Sequence, residues 1–171
     1  MGIILNKLFS MFVLLVAISS SKIVLAETLL GEVVSIHDGD TVTLITDNNQ
    51  KIKVRLAQID APEIAQNYGE QSKQYLSNLV LNKRVTVETE TIDKYGRTVG
   101  TLILNGVDVN AQQVKVGMAW AYRKYLHNTG LLTIEENARL AKTGLWSDLS
   151  AIAPWDYRHF LKSDHYKTSF K

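Results

Sequence analysis

The chain of 171 residues contains no cysteine at all. It therefore has no disulfide framework and no cysteine that could carry a lipid, so its stability has to come from an ordinary hydrophobic core. It also shows no internal repeat, and its apolar amino-terminal segment, residues 8–18, is only 11 residues long. A membrane-spanning helix needs roughly 20 such residues, so this segment alone is too short to cross a bilayer.

The first 26 residues have the layout of a secretory signal peptide. Lys7 gives a positive start, residues 8–18 are apolar, and a short polar stretch ends in Val24-Leu25-Ala26. We predict that residues 1–26 are removed and that the protein is exported to the periplasm or to the outside of the cell, with no stable membrane association afterwards. The alternative is an uncleaved anchor that extends to Ala26.

Net charge points to no polyanionic partner. The whole chain carries +2, but Lys7 and Lys22 leave with the signal peptide, which gives 19 − 2 = 17 basic residues against 17 acidic ones. Any affinity for phosphate must then come from basic side chains gathered around one site. The remaining 171 − 26 = 145 residues are a usual length for one domain. We place that domain at residues 27–150 and expect a monomer.

Apolar patterns and turn signals predict a β-rich fold. Strand-like patterns occupy residues 29–56, divided by turns into three strands, and then residues 84–91 and 98–104. Helical patterns occupy residues 68–81, residues 110–117 with Asn110 as the cap, and residues 131–142 with Ile134, Ala138 and Ala141 on one face. This order predicts a mainly β, α+β protein: a five-stranded OB-fold Greek-key barrel with about three α-helices.

Residues 151–171 form an aromatic and basic tail without a usable period. The tail includes Trp155, Tyr157, Arg158 and Phe160. We expect Trp155 to pack on the domain and the last several residues to be loose.

Three loops concentrate the charged residues of the chain. They are Asp38-Gly39-Asp40-Thr41 in the first hairpin, residues 55–63 after the third strand, and Asp93-Lys94-Tyr95-Gly96-Arg97 between the last two strands. The first and the third, each taken alone, would be ordinary surface turns. Together the three loops supply the groups that phosphodiester hydrolysis needs.

Oxygen ligands for a hard divalent cation come from two of these loops. The carboxylates of Asp40 and Asp60 and the backbone carbonyl of Ala61 can form such a shell, with water completing it.

Two arginines and one glutamate complete the set. Arg55 and Arg97 can hold a phosphate through forked hydrogen bonds and remain charged at any working pH. Glu63 is the candidate for positioning or deprotonating the attacking water. Because the transition state gathers negative charge on the phosphoryl oxygens, metal and guanidinium donors act where that charge develops.

At these residues the chain resembles the staphylococcal nuclease family. The likeness runs from about Leu30 to Trp146 without a large gap, and it includes Gly117-Met118-Ala119 and Gly144-Leu145-Trp146. The resemblance implies an OB-type barrel, one calcium ion, and endonucleolytic hydrolysis of DNA and RNA with little sequence preference, leaving a 3′-phosphate.

The same resemblance implies roles for individual residues. The implied calcium ligands are Asp40, Asp60 and Ala61, and the implied catalytic residues are Arg55, Glu63 and Arg97. Ala61 stands where the best-known member has threonine, which is a mild departure because the ligand there is backbone oxygen. Asp38 and Thr41 are candidates for orienting the ligands from behind, although Asp38 could equally be a ligand or only shape the turn.

Candidate contacts to the nucleotide are Lys94, Tyr95, Tyr122 and Tyr125. Bases stack well on aromatic faces beside cations, so these residues predict DNA or RNA substrates that are single-stranded or frayed. Tyr122 and Tyr125 are spaced more widely than the pair in the best-known family member, which leaves open which of them contacts the nucleotide. The alternative is that their segment only packs against the barrel.

A rival hypothesis from another class is a catalytically inert OB-fold module that binds single-stranded nucleic acid or protein. Such a module could lose an arginine or a carboxylate without consequence. This chain keeps all six residues of the predicted metal and catalytic set, which favours the enzyme.

Overall fold

A computed structural model describes residues 28–168. The predicted signal segment 1–26 lies outside these residues, and so do the last three residues of the predicted tail. The strands are β1 (Thr28–Ile36), β2 (Thr41–Thr46), β3 (Lys51–Leu56), β4 (Ile59–Asp60), β5 (Arg84–Ile92), β6 (Thr98–Leu104), β7 (Val107–Asp108) and β8 (Trp120–Ala121). The helices are α1 (Gly69–Val80), α2 (Val109–Lys115), α3 (Gly130–Leu140) and α4 (Pro154–Thr168). Short 3₁₀ turns occur at Arg123–Tyr125 and Gly144–Ser147.

Five strands close into a barrel, as the sequence predicted. β1, β2 and β3 form an antiparallel meander, and β5 pairs antiparallel with both β1 and β6. A parallel pairing between β3 and β6 closes the ring. Alternate residues of these strands face inward and form the core with α1 and α2. Its buried members include Val33, Val42, Leu44, Val54, Leu56, Leu76, Val87, Leu102 and Val114.

The cap of α2 is not the predicted one. Asp108 caps the helix by accepting the Ala111 amide hydrogen at 2.9 Å, whereas Asn110 lies inside the helix and is buried. The Asn110 side chain accepts the Leu102 amide hydrogen at 3.1 Å and donates to the Ala57 carbonyl at 3.0 Å. Both residue types are good caps, and Asn110 instead joins α2 to the barrel.

The buried face of α3 also differs from the prediction. Ala138 is buried, but Ala141 is exposed and Ile134 is half-buried. The inner face instead includes Glu135, which is 1% exposed. Glu135 is tolerated there because it accepts the Ala121 amide hydrogen at 3.0 Å and pairs with the Arg123 guanidinium.

A fourth helix, α4, occupies most of the predicted tail, so the expectation of about three helices was one short. Trp155 packs on the domain: its ring lies parallel to that of Tyr122 and meets the edge of Trp120. The helix escaped prediction because its contacts come from a few aromatic and charged side chains rather than from an apolar stripe. Within residues 28–168, no helix is long and apolar enough to cross a membrane.

Gly39 lets the first hairpin turn approach α1 and the segment after β4. A Cβ at this position would lie 1.8 Å from Ser72 Oγ and 2.7 Å from Ala61 Cβ. The Gly39 carbonyl accepts a hydrogen bond from the buried Gln113 side chain. Only glycine permits this approach, which brings the first charged loop against Ala61.

We expect Gly39→Ala to lower the free energy of unfolding by about 1–3 kcal/mol, because the added methyl group overpacks a buried contact. Urea denaturation measures this change. The matched control is Gly130→Ala, where a Cβ would meet only the Asn128 side chain, at 3.0 Å. Equal stability of the two variants would contradict the assignment.

Candidate active site

The first two charged loops meet at one rim of the barrel, where Arg55 joins them. Arg55 lies on β3 opposite Thr41 of β2, so its guanidinium reaches the turn that precedes β2. Its Nε lies 3.1 Å from Asp40 Oδ1, and its Nη2 lies 2.9 Å from Asp60 Oδ1. One guanidinium, only 13% exposed, therefore holds the two predicted carboxylate ligands side by side.

Local hydrogen bonds fix the Asp40 carboxylate. Asp38 Oδ1 accepts the Asp40 amide hydrogen at 3.0 Å and so stabilises the turn. The Thr41 hydroxyl donates to Asp40 Oδ1 at 3.0 Å, and the Ala61 amide donates to Asp40 Oδ2 at 2.7 Å. Asp38 therefore contacts the backbone of Asp40, whereas Thr41 contacts the Asp40 carboxylate directly.

The Asp40 carboxyl is buried among like charges. Burial raises the pKa of Asp40 to about 7, and repulsion from Asp38 and Asp60 adds to this increase, against the opposing effect of Arg55. A further positive charge beside Asp40 would favour the carboxylate form.

The donors of this cluster fit a hard divalent cation. The Asp40 and Asp60 carboxylates contact the same guanidinium, and the Ala61 amide hydrogen, rather than its carbonyl, faces Asp40. The two carboxylates supply oxygen, the type of ligand that calcium and magnesium prefer. In the described part of the chain, no group of three or more acidic, histidine or cysteine side chains could hold a metal ion, so the backbone carbonyl and water would have to complete the shell.

Arg158 of α4 occupies the outer side of the same cluster. Its Nη2 donates to Asp60 Oδ2 at 2.6 Å, and its Nη1 lies 3.2 Å from Asp60 Oδ1 and 2.7 Å from Glu63 Oε1. Burial alone would lower the pKa of Arg158, but the bonds to Asp60 and Glu63 raise it above its usual value. One charged guanidinium thus binds a predicted metal ligand and the predicted general base together.

Sequence reasoning missed the role of Arg158. It counted this arginine among the bases of an aromatic tail, and the basic character of that tail was the one available signal. The contact joins residues 98 positions apart, and no short motif records such a distance.

The Arg55 guanidinium is largely engaged within the protein. Besides its two carboxylate partners, its Nη1 donates to the carbonyls of Leu56 at 2.6 Å and Ile59 at 2.9 Å. A guanidinium has five N–H donors. Among the described residues, three of them form hydrogen bonds and the Nε–H faces Asp40 in an ion pair, which leaves one on Nη2 for a further partner. The main contacts of Arg55 therefore bridge the first and second charged loops.

Arg97 lies on the hairpin between β5 and β6. Its Nε and Nη2 each lie 2.8 Å from Asp93 Oδ2, and its amide donates to Asp93 Oδ1 at 3.0 Å. Val99 of β6 lies opposite Arg55, and Arg97 precedes Val99 by two residues, so the hairpin that carries Arg97 lies beside the start of the seam between β3 and β6. Within residues 28–168, however, the Arg97 side chain contacts its own hairpin and does not reach Asp40 or Asp60.

The predicted nucleotide contacts form two aromatic surfaces. Tyr95 is 72% exposed, with Lys94 Nζ 5.0 Å and the Arg97 guanidinium 5.5 Å from its ring centre. On the other surface, the rings of Tyr122 and Tyr125 meet edge to face at 5.0 Å. Tyr125 is exposed, whereas one face of Tyr122 is covered.

Trp155 provides that cover. The Trp155 and Tyr122 rings are stacked, with centres 5.3 Å apart and planes 3° from parallel. The Tyr122 amide donates to the Gln58 carbonyl at 2.7 Å, and Trp120 lies opposite Asp60 in the pairing of β4 with β8. The aromatic surface and the acidic cluster are therefore neighbours.

Comparison with known proteins indicates one family. Residues 53–148 match the sequence profile of the family described as staphylococcal nuclease homologue. This segment includes the second and third charged loops.

Three relatives are similar over most of the chain. A Haemophilus influenzae protein named "Uncharacterized endonuclease" is 42% identical over 156 residues, covering 91% of this chain and 84% of that protein. Protein ParB of Escherichia coli is 43% identical over 141 residues, covering 76% of this chain and 79% of its own. The micrococcal nuclease of Shigella flexneri is 41% identical over 144 residues, covering 78% and 82% respectively.

The hairpin that carries Arg97 depends on an ionised Asp93. Slight burial raises the pKa of Asp93, but hydrogen bonds from Arg97 and from the Tyr95 amide more than offset this, so the pKa lies below its usual value. We expect Asp93→Asn to lower the free energy of unfolding near neutral pH. The loss should shrink as the pH falls from about 4 through the native pKa of Asp93, because a lowered native pKa stabilises the fold above the unfolded pKa.

Urea denaturation of both proteins across that pH range tests this expectation. The matched control is Asp47→Asn, which removes an exposed ion pair with Arg84 and should change stability little. A loss that is equal in the two variants, or that is independent of pH, would contradict the role given to Asp93.

Proposed function

The chain belongs to the staphylococcal nuclease family, and on that premise we propose that this nuclease is exported and hydrolyses DNA and RNA with one calcium ion. The observation that carries the proposal is the bridge from Arg55 to Asp40 and Asp60, which gathers the predicted oxygen ligands at one rim. Export is supported by the signal-peptide layout of residues 1–26.

Asp40, Asp60 and the Ala61 carbonyl would hold the ion. Calcium bound there would supply positive charge to the phosphoryl oxygens as the five-coordinate transition state forms. Arg55 keeps the two carboxylates together and has one N–H donor left for the phosphate. Asp38 and Thr41 keep the Asp40 carboxylate in one orientation.

Glu63 and Arg97 have the exposure that a reacting group needs. Glu63 is 41% exposed, and a free carboxylate there would orient a water and take its proton. Arg97 is fixed by Asp93 through Nε and Nη2, which leaves its Nη1 to donate to the phosphate. The expected reaction is endonucleolytic cleavage that leaves a 3′-phosphate.

The substrate would be single-stranded or frayed nucleic acid. Tyr95 is the exposed aromatic ring between two cations, and Tyr125 is the exposed ring of the other pair, so both suit base stacking. We propose that the protein works as a monomer. The inert-module alternative has less support, because three relatives similar over most of the chain include two whose names denote nucleases.

Cleavage should depend on calcium. We expect the purified protein to cut both single-stranded DNA and RNA with calcium, to stop when EDTA is added, and to recover with excess calcium, because the charge on the transition state then lacks its metal donor. Asp40→Asn should raise the calcium concentration needed for half-maximal cleavage. Cutting that persists in EDTA would exclude the metal mechanism, and no cutting of either polymer with calcium would favour the inert module.

Turnover should depend on Glu63 and Arg97. We expect Glu63→Gln and Arg97→Ala each to lower kcat by at least ~100-fold, since one removes a base and the other a transition-state donor. Arg84→Ala is the control, because it removes an equally charged but exposed side chain paired with Asp47. A near-normal kcat in either test variant would remove that residue from the mechanism.

A further inference from the structure

We propose that α4 is an intramolecular ligand of the active site, with Arg158 in the place of the cation and Trp155 in the place of a stacked base. On this proposal, which rests on the calcium site proposed above, the helix leaves the site when calcium binds.

Arg158 and a metal ion compete for the same atoms. Both oxygens of Asp60 contact Arg158, at 2.6 and 3.2 Å, and Oδ1 also accepts from Arg55. A calcium ion on Asp60 would lie about 2.3–2.6 Å from such an oxygen, on the side that Arg158 now fills. Because two cations in that space repel each other, the ion and the docked guanidinium exclude one another.

Arg158 also binds Glu63, the proposed general base. Arg158 Nη1 lies 2.7 Å from Glu63 Oε1. This charge-assisted hydrogen bond holds the Glu63 carboxylate toward α4 and occupies an oxygen that would otherwise face a water. The docked helix therefore restrains Glu63 as well as Asp60.

Trp155 covers the aromatic surface in the manner of a base. Its ring is stacked on Tyr122 at 5.3 Å and nearly parallel to it, which is the geometry in which a nucleobase would lie on a tyrosine. Trp155 and Arg158 are three residues apart, so they project from the same face of α4. One helix face thus carries an aromatic ring and a cation to the two places where the substrate and the metal would bind.

The part of α4 after Arg158 makes few buried contacts with the domain. Phe160 and Leu161 are 62% and 49% exposed, so little apolar surface beyond the first turns is buried. The segment before the helix is anchored independently: Ala153 is buried in the second apolar cluster, and Gln66 Nε2 donates to the Ile152 carbonyl at 2.6 Å. The helix, with both Trp155 and Arg158, can therefore detach while the segment before it stays in place.

Calcium binding to the whole protein tests the proposal without an activity assay. Isothermal titration calorimetry with calcium alone should give a dissociation constant at least ~10-fold lower for Arg158→Gln than for the unmodified protein, the factor expected when roughly nine in ten molecules are docked. Arg158→Lys should give a smaller gain, because an ammonium cannot form the fork. Arg84→Gln, remote from the site, should bind as the unmodified protein does.

Hydrogen exchange of the backbone amides of residues 156–163 provides the second readout. In the unmodified protein these amides should lose protection when calcium is added, and in Arg158→Gln they should be weakly protected with or without calcium. If Arg158→Gln does not fold, Arg158→Lys gives the same comparison.

The outcomes separate the two proposals. Equal calcium affinity in the unmodified protein and the Arg158 variants, with α4 protected throughout, overturns the intramolecular ligand and leaves the calcium site intact. No calcium binding in any of these proteins, including the Arg158 variants, overturns the calcium site and the inference together.

Discussion

The active site depends on one bridge, in which the Arg55 guanidinium holds Asp40 and Asp60 together. Two acidic loops brought to one rim repel each other, and burial makes the repulsion stronger because little water screens it. Arg55 offsets that repulsion while its Nη1 fixes it to the carbonyls of Leu56 and Ile59. Because Arg55 belongs to β3, the barrel strand itself positions the two carboxylates.

Arg55 alone does not balance the negative charge of the carboxylates in this cluster, so the outer side of the cluster can bind a second cation. The protein supplies Arg158 there, from a helix that the barrel does not need for its core. Arg158 links the carboxy-terminal segment to this acidic cluster, although the two are distant in sequence. The inner arginine, Arg55, therefore holds the carboxylates of Asp40 and Asp60 together, and the outer arginine, Arg158, contacts Asp60 and Glu63 from the other side.

Sequence patterns predicted the parts of the molecule that local rules govern. Strand alternation and turn residues indicated the five-stranded barrel, because each inward residue obeys a period of two. The charged loops were recognisable because Asp40, Asp60 and Ala61 lie within short motifs. The patterns gave the wrong cap for α2, where Asp108 and Asn110 were both suitable, and missed that Glu135 could be buried once Arg123 neutralised it. They missed the docking of α4 because its contacts to Asp60, Glu63 and Tyr122 arise only in three dimensions.

The parallel seam between β3 and β6 has a consequence for how activity arises during folding. It pairs Val54 with Thr98, across 98 − 54 = 44 positions, and β1 pairs with β5 across still more, Thr28 with Glu88 across 88 − 28 = 60. The meander and the β5–β6 hairpin instead pair close neighbours. Pairings of large separation cost more chain entropy and form slowly. Since Arg55 and the Arg97 hairpin belong to the two sides of this seam, a newly made chain brings these two arginines to one end of the barrel only after a pairing of distant segments has formed.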